Sequence, residues 1–331
     1  MSLMAIAVAG DLMSVSKESF LADFYPEFLP TEPKADKLEF KLEFQKCKRF
    51  GVSYMGSKNK IVKALIPQLP SAKYFVDLFA GGCAMTHGAM LSGKYERFIA
   101  NDISDAPSLF QRAIKGEFRD EKRWISRDDF FALKDKDPYV RILWSFNNNC
   151  ERYLYGKKIE NYKKAQHYKE ILGDNSLMKD FKNFDFYEYS DATIRTCEQK
   201  RRLARLNNCI GLELNSLQIT QKSYKEIELP EPSECVIYCD PPYKGTAGYL
   251  EREKNKILGI KGKMRDITSF NHDEFYDWCI EKARQGYKVF ISEYDMPSDR
   301  FKSIFNVAKR QQLHHLGAGA IKQEHLFVPI V

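Results

Sequence analysis

The sequence predicts an α/β fold built on a mainly parallel sheet, and three observations support this class. An apolar strand pattern at residues 74–79 breaks at a glycine turn and is followed by an amphipathic helical pattern at 84–91. A second strand pattern at 97–100 is followed by a second helical pattern at 106–115. Strand and helix therefore alternate at the spacing typical of parallel βα units.

The alternation stops at residues 116–189, which are rich in Lys, Arg, Asn and Tyr, and then returns. The later segments are a helix at 192–206, strands at 214–220, 235–239 and 287–292, a helix at 273–285, and a strand pair at 304–309 and 325–331 that favours an antiparallel edge. Residues 1–48 are interpreted as an accessory extension with a short strand at 38–44. One α/β core of residues 49–115 and 190–331, interrupted by an insertion, is the simplest account.

Composition limits the class of protein and its compartment. The chain has 331 residues, 44% of them hydrophobic, and no apolar run near the ~20 residues that span a bilayer. The apolar stretch at 4–10 lacks the basic lead-in of a signal peptide. Eight cysteines without a C-x-x-C pair and six histidines without ligand spacing predict neither disulfides nor a metal site, so a reducing cytoplasm is expected. The net charge of +7 favours a polyanionic partner, although many proteins without one are as basic.

The tetrapeptide Asp240-Pro241-Pro242-Tyr243, directly after the strand pattern at 235–239, carries the most chemical information. Two prolines fix φ near −65° and remove two backbone N–H groups. The segment therefore presents only acceptors, the Asp240 carboxylate and carbonyl oxygens, to which an exocyclic amino group can donate two hydrogen bonds. Tyr243 adds a flat face on which a base can stack, an interaction worth roughly 1–3 kcal/mol. The plainer interpretation is a strand-to-loop turn.

Three further segments are typical of a nucleoside site. Residues 77–82, Asp-Leu-Phe-Ala-Gly-Gly, end the first strand, where glycines let the backbone approach a ligand. Asp102 ends the next strand, where an acidic side chain can bind ribose hydroxyls. Residues 54–58, Tyr-Met-Gly-Ser-Lys, can fold over a carboxylate-bearing ligand. Each segment also has a plainer interpretation. The glycine turn can be only a tight connection, Asp102 can form an Asx-turn or a helix N-cap, and residues 54–58 can be a solvated loop.

In this order the four segments resemble the Dam-type family (D12 class, alpha-group) of site-specific DNA adenine N6-methyltransferases. In that family an aromatic-x-Gly-x-Lys segment, a D-x-F-x-G-G loop, a target-recognition insertion and D-P-P-Y follow one another. The resemblance runs from about Phe50 to the C-terminus and leaves residues 1–48 unexplained. Residues 290–295 are similar to the family's strand after D-P-P-Y, and residues 146–149 with 153–157 are similar to the insertion of phage and prophage members.

The resemblance implies a Rossmann-like methyltransferase sheet with helices on both faces, S-adenosylmethionine as the cofactor, and a flipped-out adenine of duplex DNA as the substrate. It implies cofactor contacts by Tyr54, Lys58, Asp77, Phe79, Gly81, Asp102, Tyr224 and Asp240, and catalytic roles for Asp240, Pro241, Pro242 and Tyr243. Where the family often has Asp-Phe, with the Asp contacting the cofactor's adenine, this chain has Ser223-Tyr224. That acidic contact is therefore missing or supplied elsewhere. A monomer or weak dimer in the cytoplasm of a bacterial or phage-infected cell, with a possible cognate restriction enzyme, is the expected setting.

Residues 116–189 are the predicted target-recognition insertion, which is expected to be mainly helical. Residues 111–170 carry 15 Lys and Arg against 10 Asp and Glu, a local excess of +5. Its candidate DNA contacts, to phosphates, guanine edges or adenine, are Arg123, Arg127, Arg141, Asn147, Asn149, Arg152 and Lys157. The alternative for each is a solvated face or an ordinary loop. Lys200, Arg201, Arg202 and Arg205 are interpreted as the outer face of a predicted helix.

Two other functions remain open from the sequence. The same amino-group chemistry serves methyltransferases that act on RNA or on cytosine N4, although the long insertion favours duplex DNA. A catalytically silent DNA-binding or antirestriction protein is the alternative from another class. The intact tetrapeptide at 240–243 argues against loss of activity.

Overall fold

Seven strands form one mixed sheet in the computed structural model, which describes residues 42–182, 185–187, 189–244, 270–310 and 321–331. The strands are β1 (Tyr74–Asp77), β2 (Arg97–Asn101), β3 (Leu217–Thr220), β4 (Cys235–Cys239), β5 (Lys288–Glu293), β6 (Phe301–Arg310) and β7 (Ile321–Pro329). Their order across the sheet is β3-β2-β1-β4-β5-β7-β6. The α/β class predicted from the alternating patterns is confirmed.

The direction of the strands defines where a ligand can bind. Strands β1 to β5 pair in parallel, and β7 pairs antiparallel with both β5 and β6, so the predicted antiparallel edge is confirmed. From β1 the chain proceeds outward to β2 and β3, and it returns to the other side of β1 as β4. The junction of β1 and β4 is therefore the switch point of the sheet, beside which ligands bind at the carboxyl ends of strands.

Helices cover both faces of the sheet because alternate strand residues point to opposite sides. The α-helices whose two ends lie within the described residues are α1 (Val62–Leu65), α2 (Ala84–Ser92), α3 (Ala106–Ile114), α4 (Arg127–Leu133), α5 (Pro138–Leu143), α6 (Lys157–His167), α7 (Asp191–Arg195), α8 (Glu198–Asn207) and α9 (His272–Arg284). Phe75 packs in one core with α2, α3 and α8, whereas Val76 packs in a second core with α9. The short run of apolar residues in each strand reflects burial on both sides.

The insertion at 116–189 is mainly helical where it is described. It contains α4, α5 and α6, a π-helical turn at Tyr168–Leu172 and short 3₁₀ segments, with one isolated bridge between Ser145 and Tyr153. Its buried residues belong to the same core as α3. The insertion is thereby anchored to the sheet rather than joined to it by a free linker.

Three sequence predictions differ from the structure. Residues 42–46 form a helical segment, so the strand predicted at 38–44 is wrong for the part that lies within the described residues. Residues Leu214–Ser216 form a 3₁₀ turn before β3. The helix predicted at 192–206 is two helices, because Thr196 and Cys197 adopt extended backbone angles between α7 and α8.

Candidate active site

A cavity of about 840 Å³ lies at the switch point. Its walls come from the segment before α1, the loops after β1 and β2, the turn after β3 and the loop after β4. Every residue predicted for catalysis or cofactor binding contributes to this lining: Tyr54, Lys58, Asp77, Phe79, Gly81, Asp102, Tyr224, Asp240, Pro241, Pro242 and Tyr243. The structure therefore brings together four segments that are scattered along the chain.

The glycine turn after β1 is shaped by close backbone packing. Gly81 has φ of +47°, and a Cβ there would lie 2.7 Å from the Tyr54 ring. Cys83 also has positive φ, at +56°, and is the N-cap of α2. The Gly81 amide donates to Asp102 Oδ2 at 2.9 Å. Glycine is needed at position 81 because both the backbone angle and the aromatic neighbour leave no room for a side chain.

Asp77, at the end of β1, is buried and supports the start of α2. Its Oδ2 accepts hydrogen bonds from the Thr86 amide at 3.2 Å and the Thr86 hydroxyl at 2.7 Å. Burial, and less strongly the nearby Asp240, raise the pKa of Asp77 to about 7. The carboxyl group of Asp77 next to the glycine turn is therefore harder to ionise than that of an exposed aspartate.

Asp102 joins two of the predicted segments. Its Oδ1 accepts from the Ser104 amide and hydroxyl, both at 2.8 Å, which is the Asx-turn considered from the sequence. Its Oδ2 holds Gly81, and burial raises the pKa of the carboxyl group. The Asx-turn and a ligand contact are compatible, since Asp102 also lines the cavity. Its contact to ribose hydroxyls stays a prediction.

One wall of the cavity is aromatic. The Phe79 ring lies 5.6 Å from the Tyr224 ring and 5.7 Å from the Phe270 ring. Burial raises the pKa of Tyr224 to about 12, so its hydroxyl remains protonated at neutral pH. Ser223 and Glu226 form a capping box that fixes the turn carrying Tyr224. The planar rings are suited to a purine on this side of the cavity.

A cluster of charged side chains forms around the buried Lys58 in another part of the cavity lining. Lys58 Nζ lies 2.5 Å from Asp240 Oδ1 and 3.2 Å from Glu324 Oε1. The Tyr243 hydroxyl donates to Glu324 Oε1 at 2.8 Å. The Lys58 ammonium also lies 4.7 Å from the centre of the Tyr243 ring, and the edge of Tyr294 packs against that ring. Asp240 and Tyr243 are thus fixed through Lys58 and Glu324.

Glu324 and Glu293, both buried carboxylates beside the tetrapeptide, are not predicted by the sequence motifs. Glu293 ends β5 and accepts from the amides of Lys244 and Tyr294. Burial raises the pKa of Glu293 to about 7. Each of these glutamates stands within an apolar strand pattern, and this is the signal by which they could have been predicted. An acidic residue is rarely buried in a strand unless it has a partner, so its presence there indicates a buried interaction. Glu293 lies in the segment 290–295 that resembles a family strand.

The candidate DNA contacts fall into two groups. Arg123 pairs with Glu121, Arg127 with Glu160 and the Tyr155 carbonyl, and Arg141 with Asp105 at the rim of the cavity. Asn149 is buried, and its Oδ1 caps the amides of Glu151 and Arg152. Asn147, the Arg152 side chain and Lys157 are exposed. The contacts of Asn149 are those of a residue that stabilises an ordinary loop, which was the alternative considered from the sequence. DNA contact by the other residues stays a prediction.

Helix α8 is not the uniform outer face predicted from its basic residues. Arg202 is buried and donates to the carbonyls of Leu143 and Ser145. Arg205 donates to the carbonyls of Phe50 and Gly51. These arginines satisfy backbone acceptors in the core, so that part of the prediction is wrong. Lys200 and Arg201 are exposed, as predicted.

A doubly wound sheet with a glycine turn, an acidic strand end and an aromatic wall at its switch point defines a nucleotide- or nucleoside-binding α/β enzyme. The profile of the D12 class N6 adenine-specific DNA methyltransferase family matches residues 54–310, and the chain belongs to this family. The family resemblance expected from the motifs is confirmed, while a phage-like origin stays a prediction. Among the alternatives left open by the sequence, membership supports an enzyme that methylates adenine N6 in DNA with S-adenosylmethionine as the methyl donor.

Membrane-spanning helices and metal centres are absent from the described residues. No helix there is both long and apolar enough to cross a membrane. Across the same residues, no three His, Cys, Asp or Glu side chains are arranged to hold a metal ion.

Proposed function

We propose that this adenine methyltransferase performs its reaction at the cavity between the glycine turn and Asp240–Tyr243, on an adenine extruded from duplex DNA. The supporting observation is that the loops after β1 and β4 line one cavity. They meet there because β1 and β4 are hydrogen-bonded neighbours, with Asp77 opposite Tyr238. A methyl donor held at one loop is therefore adjacent to an amino group held at the other.

Asp240 and the Pro241 carbonyl are the proposed acceptors of the two N6 hydrogens. The Pro242 carbonyl already lies 2.8 Å from His272 Nε2, which leaves it a supporting role in fixing the loop. The amino nitrogen of adenine is conjugated with its ring and is a poor nucleophile. Hydrogen bonds from both N–H groups to fixed acceptors favour a tetrahedral nitrogen with an available lone pair, a case of catalysis by positioning and preset electrostatics.

The charge of the cavity lining supports binding of S-adenosylmethionine there. S-adenosylmethionine supplies a methyl group activated by a positively charged sulfonium. The cavity lining carries six carboxyl groups, those of Asp77, Asp102, Asp105, Asp135, Glu151 and Asp240, and three basic side chains, Lys58, Arg141 and Lys222. Lys58 is paired with Asp240 and Glu324, and Arg141 with Asp105. This acidic surplus is suited to a cationic ligand. Phe79 and Tyr224 would hold its adenine ring, and Asp102 its ribose.

Residues 116–189 are proposed as the target-recognition part and residues 49–115 and 190–331 as the catalytic part. Arg141 and Asn149 of the insertion line the same cavity as Asp240, so DNA bound by the insertion is near the catalytic residues. Flipping the base costs a few kcal/mol, and stacking beside Tyr243 would offset part of that cost. Because the substrate is DNA, the enzyme is expected to work in the cytoplasm.

Mass spectrometry of nucleosides tests the residue assignment. Wild-type protein incubated with duplex DNA and S-adenosylmethionine is expected to yield N6-methyladenine, and no N4-methylcytosine. Asp240→Ala and Tyr243→Ala are expected to abolish this product, with cofactor affinity falling less for the tyrosine change. Asp299→Asn, at an exposed position, is the matched control. Near-normal product from both site variants would contradict the assignment.

A further inference from the structure

Glu324 is a fully buried carboxylate on β7, and in the sequence it lies well after the segments that carry the family motifs. It lies 3.2 Å from Lys58 Nζ and accepts the Tyr243 hydroxyl at 2.8 Å through the same oxygen, Oε1. Lys58 in turn lies 2.5 Å from Asp240. A single carboxylate thus contacts both side chains that flank the proposed amino-group acceptor.

The backbone of β7 gives Glu324 a fixed position. Glu324 pairs with Val307 of β6, and the next residue, His325, pairs with Glu293 of β5. The strand is therefore hydrogen-bonded on both sides next to the loop that follows β5. A side chain projecting from such a strand has less freedom than one on a surface loop.

The charges of the cluster suit this arrangement. Burial by itself disfavours the ammonium of Lys58, but Asp240 and Glu324 outweigh that effect and raise the pKa of Lys58. Burial, together with the same two carboxylates, raises the pKa of Tyr243 well above its usual value. Lys58 remains a cation and Tyr243 a neutral donor, so both direct hydrogens toward Glu324.

We propose that Glu324 is a positioning residue for methyl transfer, which acts through Lys58 and Tyr243 to hold the Asp240–Tyr243 loop in its reactive geometry. This inference rests on the proposed role of Asp240. Glu324 gives the Lys58 ammonium a second carboxylate partner, so that the ammonium stays in place and holds Asp240 Oδ1 in one orientation. It anchors the Tyr243 ring by its hydroxyl while Tyr294 packs against the same ring.

The variant Glu324→Gln tests the charge while preserving the shape of the side chain. Single-turnover methyl transfer is expected to fall about 10- to 100-fold, the range for small misplacements of reacting groups. The affinities for S-adenosylmethionine and for DNA are expected to change less than about threefold, because the residue acts through Lys58 and Tyr243. Gln323→Ala, at the exposed neighbouring position, is the matched control and is expected to match wild type.

A double-mutant cycle separates positioning from general stabilisation. If Glu324 acts through Lys58, adding Glu324→Gln to Lys58→Met causes little further loss of methyl transfer. It is also expected to recover part of the lost melting temperature, since it removes a carboxylate left without its cation. Additive losses of rate, or a folded Glu324→Gln protein with the wild-type rate, would overturn the inference.

Tyr243→Phe provides a second route, and it decides the question if Glu324→Gln does not fold. This variant removes only the hydroxyl that Glu324 accepts, and a several-fold slower transfer with unchanged cofactor affinity is expected. A wild-type rate for Tyr243→Phe would refute the role of Glu324. Absence of N6-methyladenine with the wild-type protein would instead refute the proposed function, so the two failures are distinct.

Discussion

The Lys58 ammonium lies 2.5 Å from Asp240 Oδ1, although the two residues are 182 positions apart in the chain. The family resemblance predicts that the lysine lies over the cofactor, and it does line the cavity, but its nearest partners are carboxylates of the protein itself. This contact joins the segment before α1 to the loop after β4. The cofactor contact of Lys58 stays a prediction.

Lys58→Met is expected to slow methyl transfer by at least about tenfold and to lower the free energy of unfolding by about 3–5 kcal/mol, because the buried carboxylate of Glu324 and the half-buried carboxylate of Asp240 lose their cation. Single-turnover transfer and urea denaturation measure the two effects. Lys60→Met, at an exposed position of the same short 3₁₀ helix, is the matched control. Equal behaviour of the two variants would show that the ion pair has no role.

Asp77→Asn is expected to change how stability depends on pH. Because the folded-state pKa of Asp77 is raised to about 7, its proton binding stabilises the folded state most below about pH 4, and this contribution is lost as the pH rises through 7. The neutral amide avoids that loss, and its oxygen can still accept from Thr86. Relative to wild type, the variant should therefore gain of the order of 1–3 kcal/mol between pH 5 and pH 8. Thermal melts across that range would show a constant difference if Asp77 did not titrate there.

Gly81→Ala is expected to weaken cofactor binding by at least about tenfold, the equivalent of 1.4 kcal/mol. The added methyl group would lie 2.7 Å from the Tyr54 ring, at a backbone angle that alanine disfavours. Isothermal calorimetry with S-adenosylmethionine measures the change. Gly156→Ala is the control, since no atom lies within 4 Å of the position that its methyl group would occupy and its backbone is extended. Similar affinities for both variants would contradict a tight turn at the ligand.

Tyr224→Ala is expected to lower cofactor affinity by roughly 1–3 kcal/mol through loss of stacking, whereas Tyr224→Phe should retain it. Ser223→Asp is expected to tighten binding, because it supplies the acidic group that the family often has there. Aspartate is also a good N-cap residue, so the turn at Tyr224–Glu226 should be preserved. Calorimetry on the three variants tests the aromatic wall, and equal affinities for alanine and phenylalanine would exclude stacking by Tyr224.

Arg152→Ala and Lys157→Ala are expected to weaken DNA binding similarly on all sequences and to reduce the salt dependence by about one phosphate contact each. Both positions are exposed in the insertion. Fluorescence anisotropy at several salt concentrations measures the slope. Lys73→Ala is the control, since the exposed Lys73 precedes the amino end of β1, whereas the cavity lies at the carboxyl ends of the strands. An unchanged slope for both insertion variants would place the DNA elsewhere.

Local sequence patterns predicted most of the sheet. The strand at 235–239 matches β4, and the helix at 273–285 differs from α9 by one residue at each end. Periodicity and turn residues act within a few positions, so they can be recognised without knowledge of the rest of the chain. The same local view failed at residues 42–46, where tertiary packing of Phe44 in the core accompanies a helical turn.

The sequence alone determined the family, the order of the motifs and which motif residues meet in the cavity, since each of these is expressed in contiguous residues and their spacing. Only the tertiary structure decided which charges pair: Glu324 with Lys58 and Tyr243, Arg202 with backbone carbonyls, and Arg127 with Glu160. A buried charge takes whichever partner the packing of distant strands and helices brings within a few ångströms. Nothing in the neighbouring residues of the chain encodes that partner.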